Sequence, residues 1–226
     1  MGCSQMSKKK IIIKPDKPLP PRISSEYWEL FAKLILEHFY PKKYFDLSVD
    51  GEKPDLQNEE TKIGIEVTSV EDKRYREINS LYSRDYSHGN SDQKTKARKR
   101  IEKLGGKVEK YCLLCPVIDR NINKIYAAVK EKTQKLNKDY RIFCENDLFI
   151  FDSGIILEEE LPEMAENISA SGKGNEHFNK VYLYCLGNDL YEFDIINRAF
   201  RHLKDDEKMI QCLAHDARQI LIDKYR

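Results

Sequence analysis

The chain has 226 residues, with 39 Lys and Arg against 38 Asp and Glu, 40% hydrophobic residues and 34% charged. That length suits one domain, and 9 Phe and 13 Tyr supply bulk for its core, so disorder throughout is excluded. No apolar run approaches the roughly 18 residues that cross a bilayer, and six scattered Cys read as reduced thiols, so a cytoplasmic protein without a membrane partner is expected.

Residues 1–23 are basic and then proline-rich (Pro15, Pro18, Pro20, Pro21), and read as an arm ahead of a single domain over 24–226. Its apolar stretch, Ile11-Ile12-Ile13, is too short for a secretion signal. Ser25 is placed to N-cap a helix running to about Tyr40, where Pro41 ends it. Trp28, Phe31, Ala32, Ile35 and Phe39 share one face of that helix, widened by Leu34, with Glu29, Lys33 and Glu37 on the other side. Three short extended runs follow. Tyr44–Val49 leads into Asp50-Gly51, a hairpin signal; a second run starts at Pro54-Asp55-Leu56; the third, Lys62–Val70, is rich in β-branched residues. Glu66 is the one acidic residue of the third run.

From Glu71 to about Leu104 the pattern is helical and strongly charged, broken at Ser87–Asn90 and closed by Gly105-Gly106. Lys94–Lys110 holds eight Lys and Arg against two Glu, a local net of +6, which points to a polyanionic partner. Lys94, Lys96, Arg98, Lys99, Arg100 and Lys103 are the candidate contacts, with Arg74, Arg76 and Arg84 extending the surface. The plain alternative is a solvated helix. Next come a predicted helix over 121–137, striped by Ile122, Ile125, Tyr126, Val129, Thr133 and Leu136, and a strand at Asp147–Phe151. Glu145–Glu166 carries eight acidic residues and no Lys or Arg, with an acidic helix near Glu158–Ile168. Strands at Lys180–Leu186 and Leu190–Ile195 and a helix over Asp205–Lys224 complete the order.

Asp55 follows a proline at the start of one extended run, and Glu66 lies in the middle of the next. Paired in a hairpin, the two strands bring these carboxylates side by side on one face. Two carboxylates at the edge of an apolar sheet repel each other and are poorly solvated, unless a divalent cation sits between them. Oxygen ligands that leave room for waters suit Mg²⁺ or Mn²⁺, which activates a water and offsets charge on a phosphate. The bland reading makes Asp55 turn chemistry and Glu66 a solvent-facing strand residue. Ile63, Ile65, Val67 and Val70 leave no clean alternation, however, as in a strand covered on both faces, where a carboxylate needs a partner.

Pro54-Asp55 followed by Ile65-Glu66-Val67-Thr68, after an amphipathic helix and before a helix and strand, resembles the PD-(D/E)XK nuclease superfamily, whose restriction-endonuclease-like core is αβββαβ. The resemblance covers roughly Ser24–Phe151. It implies an α/β fold with core segments 24–70 and 120–152, a basic helical insertion at 71–119 and a C-terminal β-β-α extension at 153–226. It further implies a magnesium-dependent endonuclease, a hydrolase of phosphodiester bonds with DNA as favoured substrate, which can act as a homodimer. Asp55 and Glu66 would then be metal ligands, with the Val67 carbonyl completing the inner shell and Glu29 a further acid from the first helix. For Glu29 the competing reading is an i,i+4 ladder with Lys33. The family's lysine two positions after the Glu is replaced by Thr68, which cannot supply its positive charge. Divergent members carry that lysine on the following helix, and Lys132, at the edge of the apolar stripe there, can turn inward where Lys124 and Lys135 face solvent. A lysine that only snorkels at the helix edge is the competing reading.

Other signals carry less. Cys112 and Cys115 form at best half of a zinc site, and Ser171-Gly172-Lys173-Gly174 lacks the spacing of a phosphate-binding loop. Two rivals to the nuclease come from other classes: a nuclease-like fold that binds nucleic acid or protein without cutting, and an interaction protein using the acidic Glu145–Glu166 surface.

Overall fold

The computed structural model describes residues 13, 19–49, 53–82, 86–87, 89–109, 112–114, 122–185 and 189–226. The predicted Asp50-Gly51 hairpin, Arg84, Cys115 and most of the arm lie outside them. The fold is mixed α/β: a seven-stranded sheet between two helical layers, with a small satellite unit. Among the described residues no helix is long and apolar enough to cross a membrane.

Helix α1 (Pro21–Phe39) starts four residues before the expected cap at Ser25. Pro at the first helical position lacks only an N–H that would be orphaned anyway, and its fixed φ already suits a helix. The arm therefore does not end at residue 23: Ile23 is fully buried and Ile13 lies in the same core. Three strands follow, β1 (Ser48–Val49), β2 (Leu56–Asn58) and β3 (Ile63–Ser69), paired as an antiparallel meander. The first run is extended only at its end. Tyr44 is buried in a turn, and Asp46 at φ 60° breaks the strand path.

Helices α2 (Lys73–Leu81) and α3 (Ser91–Lys103) are capped by Asp72 and by a reciprocal Asn90–Gln93 box. Strands β4 (Lys107–Glu109) and β5 (Cys112–Leu114) form a separate antiparallel pair, so the insertion is not purely helical. Ile78, Ile101 and Val108 give this unit its own small core. Helix α4 (Ile122–Leu136) and strand β6 (Glu145–Phe151) return the chain to the sheet, where β6 lies parallel to β3. A 3₁₀ turn at Glu158–Glu160 precedes α5 (Leu161–Ser171), and then come β7 (Lys180–Cys185), β8 (Asp189–Asp194), β9 (Ala199–Leu203) and α6 (Glu207–Lys224).

The strand order is β1-β2-β3-β6-β7-β8-β9. Strand β7 is parallel to β6, and β8 and β9 extend the sheet antiparallel. The expected C-terminal β-β-α extension is therefore corrected to β-β-β-α, and its strands complete the main sheet. Strand β9 escaped prediction because it is an exposed edge strand of mixed polarity, Ala-Phe-Arg-His-Leu, with no alternation to betray it.

Successive residues of the central strands point to opposite faces. Ile63, Ile65, Phe149, Phe151 and Tyr182 pack with α1 and α6, whereas Leu148, Ile150, Val181 and Leu183 pack with α4 and α5. On β3 this leaves Gly64 and Glu66 on the α4 face.

Candidate active site

The antiparallel ladder pairs Leu56 with Ile65, so one step beyond its end Asp55 stands opposite Glu66. Asp55 does not continue the backbone ladder. Its side chain bends over β3, and Oδ2 accepts the backbone N–H of Val67 at 2.8 Å. This close passage depends on Gly64. A Cβ there would meet Phe143 at 2.6 Å and Pro54 at 2.7 Å, so a glycine in mid-strand lets Pro54, and Asp55 after it, lie against β3.

Glu66 is buried, at 4% exposure, in a strand covered on both faces. Its Oε1 accepts two hydrogen bonds of 2.6 Å, from Lys132 Nζ and from the Tyr140 hydroxyl. Its Oε2 is buried with no hydrogen-bond partner among the described residues. Lys132 reaches Glu66 from α4 with 16% of its side chain exposed, while Lys124 and Lys135 stay 45% and 41% exposed. On α4 the stripe Ile125, Val129, Thr133 and Leu136 faces the sheet, and Lys132 beside it lays its stem inward.

Burial, and then the neighbouring Glu66 carboxylate, push the Asp55 carboxyl up to about 7, against the opposing pull of the Val67 N–H and the Lys132 ammonium. One ammonium lies near two carboxylates, and its pull on Asp55 is outweighed by burial and by the Glu66 charge. Burial and Glu66 also raise Tyr140, so its hydroxyl stays a donor throughout the neutral range. Glu29 is half-buried on α1, and burial, Glu26 and Glu66 raise its carboxyl. Lys33 goes instead to Glu37, at 2.9 Å, and to the Leu47 carbonyl. Glu29 is near enough to act on Asp55 electrostatically, yet among the described residues no three His, Cys, Asp or Glu side chains form a group able to hold a metal. The structure thus brings Asp55, Glu66 and Lys132 together, places Val67 through its N–H, and leaves Glu29 at the margin.

Beside this cluster, at the C-terminal end of β3, opens a cleft of about 600 Å³ of mixed charge: Thr68 and Ser69, Lys73, Lys124, Lys132 and Lys135 line it together with Glu71, Asp72 and Glu131, and Lys135 pairs with Glu131 at 2.6 Å. Parallel strands favour ligand sites at their carboxyl ends, and β3 and β6 are parallel here. Thr68 lines the cleft but has no charge to lend it. The basic residues of α3 are exposed. Arg98 pairs with Glu102 and Arg100 with Glu77, at 3.1 and 2.7 Å, and the ammonium groups of Lys94, Lys96, Lys99 and Lys103 enter no ion pair among the described residues. Helix α3 packs on α2 and β4.

Sequence reasoning missed Tyr140 and Gly64. Tyr140 lies in the turn between α4 and β6, where periodicity gives no orientation. Gly64 had a signal, a lone glycine inside a strand pattern, which marks close backbone approach. No family model, no curated protein and no solved structure matches this chain.

Proposed function

We propose that this chain is a metal-dependent phosphodiesterase of the restriction-endonuclease-like class that acts on nucleic acid, with DNA as the favoured substrate. The observation that carries the reading is Glu66 Oε2, a buried carboxylate oxygen without a partner among the described residues, set beside a second carboxylate with a raised pKa. Such an orphan is costly unless something completes it. Element order supports the same reading. Helix α1, the β1-β2-β3 meander, and then α4 and β6 beside β3 follow the αβββαβ order, with the acidic pair on β3 and just ahead of β2.

Two carboxylates, with remaining positions left to water, fit Mg²⁺ or Mn²⁺, which need only one or two protein carboxylates. Asp55 and Glu66 would hold the ion, which when bound supplies an activated water and charge stabilisation at phosphorus. The protein's own contribution is positional. The Val67 N–H fixes one Asp55 oxygen, and Tyr140 fixes one Glu66 oxygen. Lys132 lines the cleft, where its positive charge can pair with a phosphate oxygen as the charge there grows. The lysines of α3, without an ion pair among the described residues, would supply sequence-independent attraction to a phosphate backbone.

The test is cleavage of labelled single- and double-stranded DNA and RNA, with Mg²⁺ or Mn²⁺ against EDTA, by wild type and Glu66→Ala. Metal-dependent cleavage that is lost in the variant is the expected result. Undiminished cleavage by Glu66→Ala overturns the assignment. A second reading, a nuclease-like fold that binds without cutting, is favoured by Thr68 at the position of the family's lysine. It is supported if salt-sensitive binding persists in EDTA and no cleavage occurs with either ion.

A further inference from the structure

The two oxygens of Glu66 are not equivalent, and the difference reaches a residue outside the acidic pair. Oε1 is doubly occupied, by Lys132 from α4 and by Tyr140 from the turn that follows, and Oε2 is buried and unpartnered. Asp55 is divided in the same way. Its Oδ2 is committed to the Val67 N–H, and Oδ1 accepts no hydrogen bond from a described residue. Each carboxylate therefore spends one oxygen on the protein and keeps the other.

The two donors on Oε1 differ in kind. Tyr140 is a buried ring, 8% exposed, with the Lys53 ammonium 5.5 Å from its centroid. A phenol has few torsions and no charge, so it holds a carboxylate oxygen in one direction without competing for its charge. Lys132 sits on a long flexible stem that borders the open cleft, and its ammonium does compete with any cation drawn to Glu66.

We propose that Tyr140 is a positioning residue for divalent-cation binding: its hydroxyl pins Glu66 Oε1 so that Oε2 faces the position shared with Asp55, while Lys132 is the exchangeable partner, free to move to a phosphate when a cation arrives. This inference rests on the metal-site reading above and goes beyond it, because it assigns separate tasks to the two groups that touch one oxygen. Hydrogen-bond partners of a ligating side chain commonly govern metal affinity by about ten- to a hundredfold.

The experiment is a calorimetric titration of the full chain with Mn²⁺ alone, for wild type, Glu66→Gln, Tyr140→Phe and Lys132→Met. No substrate is present, so the readout is independent of cleavage. Tyr140→Phe removes one oxygen and keeps the ring. Its Kd for Mn²⁺ is expected to rise about tenfold, whereas Lys132→Met leaves the Kd unchanged or lowers it. Circular dichroism and the urea midpoint of each variant give its folded fraction, and the intrinsic Kd is the apparent Kd multiplied by that fraction, so partial unfolding is separated from lost affinity. Wild-type affinity in Tyr140→Phe, with binding lost in Glu66→Gln, overturns the role of Tyr140 and leaves the metal site standing. A Lys132→Met Kd that rises as much as that of Tyr140→Phe overturns the division of tasks. No Mn²⁺ binding by wild type overturns the metal-site reading and this inference with it.

Discussion

The sheet buries carboxylates on both of its faces, and they are treated in opposite ways. On the α1 side Asp147 is fully buried and saturated. Oδ1 accepts the Lys180 backbone N–H at 3.0 Å, Oδ2 accepts the Tyr44 hydroxyl at 2.6 Å, and the Lys43 ammonium lies 3.6 Å away. Tyr44 bonds onward to Tyr182 at 2.6 Å, and nearby Glu192 takes Tyr40 on one oxygen and Lys180 on the other. On the α4 side Glu66 is nearly as buried, yet one of its oxygens has no partner among the described residues, and its neighbour is another carboxylate. A fully bonded network fixes the packing of α1 on the sheet, whereas a half-bonded one leaves a buried acceptor uncompensated, which is what the proposed cation would complete. Burial by itself does not tell the two apart; the count of satisfied oxygens does.

That contrast can be broken by experiment. The largest expected difference is in stability. Asp147→Ala removes the buried acceptor of the Tyr44 hydroxyl and of the Lys180 backbone N–H, leaves Lys43 to Glu145 alone, and is expected to cost about 3 kcal/mol. Glu66→Gln keeps an acceptor for Lys132 and Tyr140, sets an N–H beside Asp55, and is expected to change stability by less than about 1 kcal/mol. Urea denaturation of the two variants decides it, and equal losses would erase the distinction between a structural cluster and a binding one.

A smaller effect is expected at Gly64. Alanine there drives a Cβ into Phe143 and Pro54, which should cost about 1–3 kcal/mol and shift Asp55 relative to Glu66. Mn²⁺ affinity and the urea midpoint should fall together. A variant of normal stability and normal affinity would show that Asp55 does not depend on this close passage.

The pH dependence is the mildest test. Burial is the first cause at both Asp147 and Asp55, and each carboxyl is pushed up to about 7. The folded state then holds protons that the unfolded chain has already released, so these groups make stability fall as pH rises from about 4 to about 7. Asp147→Asn and Asp55→Asn should each flatten part of that decline in urea midpoints. A wild-type stability that rises through this window would contradict both shifts.

Much of the element order was legible because local chemistry enforces it. The apolar stripe of α4, the β-branched run of β3 and the apolar face of α1 each carry their own signal. The start of α1 was misread because Ser25 is an ordinary cap residue, while a proline in a proline-rich run looks like linker until it is seen at a helix start. The side-by-side placement of Asp55 and Glu66 could be argued from hairpin register, since register follows from strand period and loop length. Tyr140 could not, because an irregular turn has no period from which to read a side chain's direction.

The amino-acid sequence determined an α/β protein with an amphipathic first helix, a three-strand meander carrying two carboxylates, and a basic insertion, since periodicity, capping and turn chemistry are local. Only the tertiary structure decided that β7, β8 and β9 complete the main sheet, and that Glu66 is bonded at one oxygen and, among the described residues, unpartnered at the other. Strand order and hydrogen-bond satisfaction depend on which distant residues meet, as Tyr140 meets Glu66 across 74 positions of chain, and no local pattern encodes such a meeting.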